Sequence, residues 1–345
     1  MRYFATAIPG LHTVLAREIG GLPGVRVDSR REFDGRNDVV SFTATGHDGI
    51  LGLRTSEDVF VQVATARKRG PLRSIVRELW NQRALEQALS TYGASVRPLR
   101  ARMPFRVVTR VRSEREFLRT ALRDELIRQV QQRRPRWRVA DPAAIELWAL
   151  ETSPGLLRFG IRLSSSSMRH RAGRPVERPG ALRPTVAAAM LLLADRKVAS
   201  QVVLDPCCGS GTILAEAAAL GWEPVGSDID VEAISVARHN LGKTARLLLA
   251  DVRHLPLAGE SVTAIVSNLP FGTQYSLQDD PMSWFNAALD ELVRVTQPSS
   301  AVVVLAPRTP TFEQVLASRP TLVLTERLDL RLLGVRTALW VLRRP

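Results

Sequence analysis

The sequence predicts an α/β chain in two parts: an α+β N-terminal half, then a half built on a mostly parallel sheet that closes with an antiparallel hairpin. Three observations carry this. From residue 201 onward, short apolar runs alternate with helical stretches, the pattern of parallel strands joined by crossover helices. The last two apolar runs, 322–332 and 335–342, are separated only by Leu333-Gly334, too short for a crossover, so they must pair antiparallel. The charge divides at the same place. Residues 1–180 carry 33 Lys+Arg against 18 Asp+Glu, whereas residues 181–345 carry 15 against 16, so the net +14 of the 345-residue chain resides in the first half.

Taken in order, residues 2–8 read as a strand, 11–19 as a helix opened by Pro9-Gly10, and 25–33 and 38–44 as strands. This β-α-β-β segment, residues 1–54, resembles a small ferredoxin-like domain. Val59, Val61 and Val63 alternate within 58–65, which predicts a strand. Residues 72–89 have helical spacing, and 105–111 alternate apolar and basic residues. Residues 117–130 read as a helix with Leu118, Leu122, Leu126 and Val130 on one face, followed by strands at 143–151 and 156–164. Residues 166–184, rich in Ser, Arg, Gly and Pro, read as a linker. The parallel-sheet half is expected over 185–345. Its strands are expected at 201–204, 224–227, 246–250, 264–267 and 301–305 ahead of the hairpin, with helices at 212–220, after Asp230 through Asn240, at 282–297 and at 311–318.

The second half carries the chemistry. Asp205-Pro206-Cys207-Cys208-Gly209-Ser210-Gly211 follows the first strand and opens a helix at Thr212, the strand–glycine turn–helix context that makes a glycine motif a site. Glycine lets backbone approach a ligand closely. Asp205 can accept from a cationic amine. Asp228, next to Ile229, is placed for ribose hydroxyls, and Asp251-Val252 for an adenine ring. Three strands ending in acids at one sheet edge suit a ligand cationic at one end and a nucleoside at the other. That description fits S-adenosyl-L-methionine. A dinucleotide fits less well, because Leu214 stands where G-x-G-x-x-G needs its third glycine.

Further along lies Asn268-Leu269-Pro270-Phe271. An exocyclic amine of guanine, adenine or cytosine is conjugated with its ring and is a poor nucleophile. The Asn268 amide oxygen and the Leu269 carbonyl, both accepting from that NH2, would push it toward sp3 geometry. Pro270 fixes the turn. Phe271 offers a stacking face to a flipped base, worth roughly 1–3 kcal/mol. As an isolated tetrapeptide this is an ordinary turn sequence. Paired with the upstream loop, it describes a nucleobase N-methylation site with Asn268 also near the cofactor.

A parallel sheet with a terminal antiparallel hairpin resembles the Rossmann-like class I methyltransferase fold, whose nucleic-acid N-methyltransferases carry an [N/D/S]-P-P-[F/Y/W] motif after the fourth strand. NLPF resembles that motif with leucine at its second position. Residues 55–165, with Trp137-x-Val139, Asp141-Pro142 and Gly160-Ile161-x-Leu163-Ser164, resemble a THUMP domain. The following Arg169-x-Arg171 and Pro179-Gly180-Ala181-Leu182-Arg183-Pro184-Thr185 resemble the junction to a guanine-N2 methyltransferase domain. The resemblance implies a THUMP-domain tRNA guanine-N2 methyltransferase, with Thr185 near the methionine end of the cofactor. NLPFG is nearest the enzymes acting on position 6 of the acceptor stem. Thr273-Gln274, where those enzymes usually have a basic residue, departs from the pattern. Methylation of adenine N6 or guanine N2 in rRNA or DNA, and a catalytically decayed RNA-binding module, stand as alternatives.

The first half is where RNA is expected to bind. Between Arg97 and Arg138 there are 14 arginines and four acids, a phosphate-binding footprint. Arg97, Arg100, Arg102, Arg106, Arg110 and Arg112, together with Arg169 and Arg171, are the expected RNA contacts, and tRNA the expected partner. High-GC codon usage would explain arginine over lysine (45 of 48 basic residues) but not the asymmetry between halves. The two cysteines lie inside the cofactor turn and the five histidines are scattered, so no metal is expected. The longest apolar run, 186–194, is too short to span a bilayer, and the N-terminus lacks an apolar targeting segment. The expectation is a cytoplasmic monomer.

Overall fold

The computed structural model describes residues 1–345 except 32–36, 112–116, 172–175, 177, 179, 196–200, 271–279 and 333–334. The chain forms two compact units, Met1–Met168 and Arg169–Pro345.

The first unit runs β1 (Arg2–Ala7), α1 (His12–Gly20), β2 (Val25–Arg31), β3 (Asp38–Ala44), β4 (Asp58–Arg67), α2 (Leu72–Leu79), α3 (Gln82–Ser95), β5 (Pro104–Arg110), α4 (Arg119–Arg133), β6 (Arg138–Val139), β7 (Ile145–Ser153) and β8 (Leu156–Arg162). A short helix, α5 (Ser166–His170), follows within the stretch expected to be linker. All eight strands form one sheet in the order β2-β3-β1-β4-β8-β7-β5-β6. The strands of residues 2–44 and 58–162 are therefore continuous: β1 pairs antiparallel with β4 through Tyr3↔Val61 to Thr6↔Asp58. Stacked Phe4 and Phe60 cross that pairing, their ring centroids 4.7 Å apart.

Two local expectations change. The helical stretch 72–89 is two helices, because Trp80 and Asn81 are both extended and the Asn81 side chain accepts from the Ala84 N–H (3.0 Å), capping α3. Leu118 is 71% exposed, since it precedes α4 and does not join the face formed by Leu122, Leu126 and Val130. Helix α1 has no polar residue at its own N-cap. Asp38 Oδ2 on β3 supplies the acceptor instead, taking the Gly10 N–H (2.8 Å) and the His12 N–H (3.3 Å).

The second unit contains α6 (Pro184–Ala194), β9 (Val202–Asp205), α7 (Thr212–Ala219), β10 (Glu223–Asp228), α8 (Val231–Leu241), β11 (Arg246–Leu249), β12 (Val262–Asn268), α9 (Pro281–Val295), β13 (Thr296–Pro307), α10 (Pro310–Ala317), β14 (Val323–Leu332) and β15 (Val335–Arg343). Its sheet order is β11-β10-β9-β12-β13-β15-β14. The five strands β9 to β13 pair parallel; β15 is antiparallel to both β13 and β14. The hairpin thus exists as expected, with its two-residue turn outside the described residues.

Helix α6 is apolar all round because it is buried, with only Leu192 exposed among its aliphatic side chains. Local acceptors cap α8 (Asp230), α9 (Asp280) and α10 (Thr309). One core packs α9, α10 and β15 through a ladder of rings: Trp284–Phe285 at 5.3 Å, Phe285–Phe312 at 4.9 Å and Phe312–Trp340 at 5.3 Å. Among the described residues no helix is long and apolar enough to cross a membrane, and no cluster of His, Cys, Asp and Glu has metal-binding geometry.

Candidate active site

Strands β9, β10 and β12 are parallel, so their carboxyl ends share one edge of the second sheet. The order β10-β9-β12 places the reversal of chain progression between β9 and β12, where open α/β sheets bind their ligands. A cavity of about 420 Å³ opens there.

Asp205 ends β9 and is buried (2% exposed) yet lines this cavity. Its Oδ1 accepts from Ser267 Oγ (2.7 Å) and the Cys207 N–H (3.2 Å). Burial raises its pKa to about 7; the two hydrogen bonds oppose this and neighbouring Asp228 adds to it. Burial and the charges of Asp205 and Asp228 push both thiols, Cys207 and Cys208, upward, which makes them inert nucleophiles at neutral pH.

The turn after Asp205 needs its glycines. Gly211 has φ +83°, and a Cβ there would lie 2.7 Å from Leu241 Cδ1. Gly226 inside β10 lets the loop pack down, since a Cβ would meet Leu214 Cδ1 at 2.4 Å and Cys208 Cβ at 3.2 Å. The loop is also tied to β10 itself: Cys208 N–H donates to Ser227 O (2.9 Å), and Gly209 N–H to Asp228 Oδ2 (2.8 Å).

Asp228 also accepts from the Asp230 N–H through Oδ1 (3.0 Å). Asp230 then caps α8 and pairs with Arg178; the Glu232 N–H and Arg178 together hold its carboxyl below the usual range. Asp251, after β11, is gripped by the Arg253 guanidinium (Nη2–Oδ2 2.7 Å, Nε–Oδ2 3.0 Å), which lowers its pKa. Ile229, 69% exposed, and the side chain of Val252 give the cavity apolar walls between these acids.

Asn268 is the last residue of β12, in register with Leu305 of β13. Its side-chain Oδ1 is buried and has no hydrogen-bond partner among the described residues. An unsatisfied buried acceptor costs about 1–3 kcal/mol, so an amide oxygen held this way is poised to accept from a ligand.

The cavity gathers Asp205, Cys207, Gly209, Thr212, Asp228, Ile229, Asp251, Val252, Asn268 and Pro270 of the residues expected from the sequence. Three others lie outside its lining. Thr185 is fully buried at the start of α6, Gly211 serves the turn, and Leu269 buries its side chain while its N–H donates to Leu305 O (3.0 Å). Phe271, with Gly272, Thr273 and Gln274, lies outside the described residues.

The cavity also takes residues that pattern reading passed over. Ser210 lines it with a buried Oγ that has no partner among the described residues, and Trp284 of α9 forms part of the wall. Arg178, Gly180, Ala181 and Leu182, read as linker, line it as well. Asn240 Nδ2 ties that segment down by donating to Val176 O and Ser210 O, each at 3.0 Å. Of these, Gly180, Ala181 and Leu182 had a sequence signal in the junction motif; Ser210, Trp284 and Arg178 had none.

The arginines sort differently. Arg97, Arg100 and Arg102 are exposed. Arg106 is held between Asp141 and Glu146, both at 2.7 Å, and Arg110 lies over the Trp148 ring at 4.7 Å. Arg106, Arg110, Arg119 and Arg123 nonetheless line one open groove of about 630 Å³ along β5 and α4. Arg169 is half-buried, and Arg171 Nε donates to Glu216 Oε1 of α7 at 3.0 Å, an internal tie of the second unit. Arg112 lies outside the described residues.

Comparison with known proteins agrees with this geometry. The UPF0020 family model, described as RMKL-like, methyltransferase domain, matches residues 171–328. The U6 snRNA (guanine-N(2))-methyltransferase THUMPD2 of Bos taurus is 41% identical over 132 residues, covering 36% of this chain and 25% of that protein. The tRNA (guanine(6)-N2)-methyltransferase of Thermus thermophilus is 32% identical over 157 residues, covering 44% of this chain and 46% of its own. The chain thus matches between a quarter and about half the length of these relatives. In fold, the crystal structure of TrmN from Thermus thermophilus matches 100% of this chain and 99% of its own with a TM-score of 0.77 at 22% identity. SMU.472, complexed with SAH, matches 100% and 98% with a TM-score of 0.69 at 16% identity. The motif pair at one sheet edge and the strand order agree with the match of residues 171–328 to the RMKL-like methyltransferase domain model.

Proposed function

We propose that this protein methylates the exocyclic N2 of a guanosine in tRNA, at position 6 of the acceptor stem, with S-adenosylmethionine as methyl donor. The observation that carries the reading is the buried, unpartnered Oδ1 of Asn268 at the rim of a cavity whose other wall presents Asp205, Asp228 and Asp251. An acceptor without a partner suits an NH2 donor.

The residues present fit the cofactor. Asp205, buried among acids and thiols, calls for a cationic group such as an α-ammonium. Asp228 is placed for ribose hydroxyls, and Ile229 and Val252 for the faces of a flat base. When bound, the cofactor supplies an electrophilic sulfonium methyl. The chain's part is to orient the nucleophile: Asn268 Oδ1 and the Leu269 carbonyl accept from the guanine amine, freeing its lone pair. Trp284 lines the cavity beside Asn268, and Phe271 would supply the stacking face expected from the sequence. Extrusion of a paired base costs a few kcal/mol, offset by phosphate contacts from the first unit.

For that unit we propose RNA binding through a THUMP domain over 55–165 with a ferredoxin-like segment over 1–54. Arg110, Arg119 and Arg123 of the open groove and the exposed Arg97, Arg100 and Arg102 would meet the backbone. A cytoplasmic monomer is the working assembly.

The test is incubation with S-adenosylmethionine and separate pools of unmodified tRNA, rRNA and DNA, then nuclease digestion and mass spectrometry of resolved nucleosides. N2-methylguanosine from tRNA alone is the expected result. N6-methyladenosine, or product only from rRNA or DNA, refutes the substrate. No product in any pool, with no cofactor binding in calorimetry, refutes the enzyme reading.

A further inference from the structure

Strands β9 and β12 are in register only at Ala264↔Val203 and Ile265↔Leu204. Beyond those pairs, toward the strand ends that line the cavity, no ladder pair joins the two strands among the described residues. The Ser267 hydroxyl reaches from β12 to β9 there: Oγ donates to Asp205 Oδ1 at 2.7 Å and also meets the Cys207 thiol, with Ser267 fully buried and Asp205 2% exposed. On its far side, β12 stays laddered to β13 through Ser267↔Val304 and Asn268↔Leu305, and the Leu269 N–H donates to Leu305 O at 3.0 Å. The Asn268 end of β12 is thus laddered to β13 on one flank, while on the β9 flank the ladder stops at Ile265 and the Ser267 hydroxyl makes the contact beyond it.

We propose that Ser267 is a positioning residue for methyl transfer, its hydroxyl setting Asp205, the acid at the cofactor's methionine end, against Asn268, the acceptor of the target amine. The proposal rests on the methyltransferase reading above. Both hydrogen bonds that Asp205 accepts among the described residues fall on Oδ1, from Ser267 and the Cys207 N–H. That leaves Oδ2 to meet a ligand in the cavity that Asp205 lines. The titratable groups facing Asp205 are Asp228 from β10 and the thiols of Cys207 and Cys208 from the loop, all of which disfavour its charge or carry none. Ser267 is the side-chain donor that favours the ionised form. The hydroxyl therefore has two separable effects, one on the ionisation of Asp205 and one on the placement of Asn268.

The experiment uses the full chain and the variants Ser267→Ala, Ser267→Thr, Ser267→Cys and Asn268→Ala. Binding of S-adenosylmethionine is followed by calorimetry from pH 6 to 9, and methylation of unmodified tRNA is followed at saturating cofactor. Ser267→Ala is expected to move the acid limb of the binding profile to higher pH by about one unit or more, the worth of one hydrogen bond to a buried charge. It should also lower turnover about tenfold. Ser267→Thr should keep both properties within about twofold, because the donor is retained. Ser267→Cys, a weak donor of similar size, should shift the limb partway and keeps the test open if the alanine variant folds poorly. Asn268→Ala should lose turnover without moving the limb.

An unmoved limb in both Ser267→Ala and Ser267→Cys, with turnover near that of the parent, overturns the proposal. Failure of the parent protein to bind S-adenosylmethionine at any pH would instead overturn the methyltransferase reading on which it rests.

Discussion

Replacing Asn268 with alanine should separate stability from activity in opposite directions. The Asn268 Oδ1 atom is buried without a hydrogen-bond partner among the described residues. Removing an unsatisfied buried acceptor returns its desolvation cost, about 1–3 kcal/mol. The side-chain methylene is retained as the alanine methyl, and the strand register with Leu305 rests on backbone atoms, so little opposes that gain. A net stabilisation of about 0–2 kcal/mol follows, or a melting temperature unchanged to several degrees higher at roughly 2–4 °C per kcal/mol for a domain of this size. Turnover should fall about 10²–10³-fold, the usual consequence of deleting one preorganised polar group from a transition-state contact. Differential scanning calorimetry of the parent and variant, paired with nucleoside mass spectrometry after reaction with unmodified tRNA, reads both effects. A variant that melts well below the parent would show that the Asn268 amide is structural. A variant that methylates at the parent's rate would show that the orphan oxygen has no part in the reaction.

Other perturbations report on other parts of the site. Below about pH 7 Asp205 holds its proton in the free protein, and a cationic ligand must displace it, so the Kd for S-adenosylmethionine should rise about tenfold per unit as pH falls below about 7; calorimetry in buffers of different ionisation enthalpy would detect the released proton, and a flat profile would refute the assignment. The raised pKa of Asp205 also means that its contribution to stability is full below the unfolded carboxylate range and is lost as pH rises through about 7. Asp205→Asn should accordingly melt above the parent at pH 8.5, by a margin that shrinks at pH 5. Gly226→Ala places a methyl 2.4 Å from Leu214 Cδ1 and 3.2 Å from Cys208 Cβ. It should cost about 1–3 kcal/mol in urea unfolding and weaken cofactor binding more than its stability loss alone predicts. Phe312→Ala removes the central ring of the core ladder and should cost about 3–5 kcal/mol, measured by urea unfolding, while leaving the Kd of whatever protein remains folded unchanged.

The second half was largely legible because its signals are local and repeated. Four of the five parallel strands are short apolar runs that end in Asn268 or at or just before an acid, and the two-residue gap before Val335 permitted only a hairpin. What the sequence could not supply were contacts made by residues distant along the chain. The cap of α1 comes from Asp38, and the break at Trp80–Asn81 sits inside an apolar spacing that continues through it. The joining of β1 to β4 has no pattern of its own, since any exposed strand edge satisfies hydrogen bonding equally well. In the site, the acids and the NLPF turn stood out because chemistry demands those residue types. Ser267, Ser210, Arg178 and Trp284 did not, because a serine in a strand, an arginine among many and a tryptophan on an amphipathic helix each have ordinary uses. Arg106 and Arg171 show the converse: arginine density marks a surface statistically, while individual arginines are spent on Glu146, Asp141 and Glu216 inside it.

The position of β15 has a consequence for how the protein is made. The strand that follows β14 in sequence lies between β14 and β13 in the sheet. Until residues 335–343 leave the ribosome, β13 presents an open edge of Val302, Val303, Val304 and Leu305, and β14 has no partner. A chain stalled or cut before Val335 therefore leaves one edge of β13 and both edges of β14 unpaired, and such edges recruit other chains. Quality control should treat that truncated species as an aggregation hazard, whereas a lesion in the loops around the cavity would leave β13 and β14 both paired with β15.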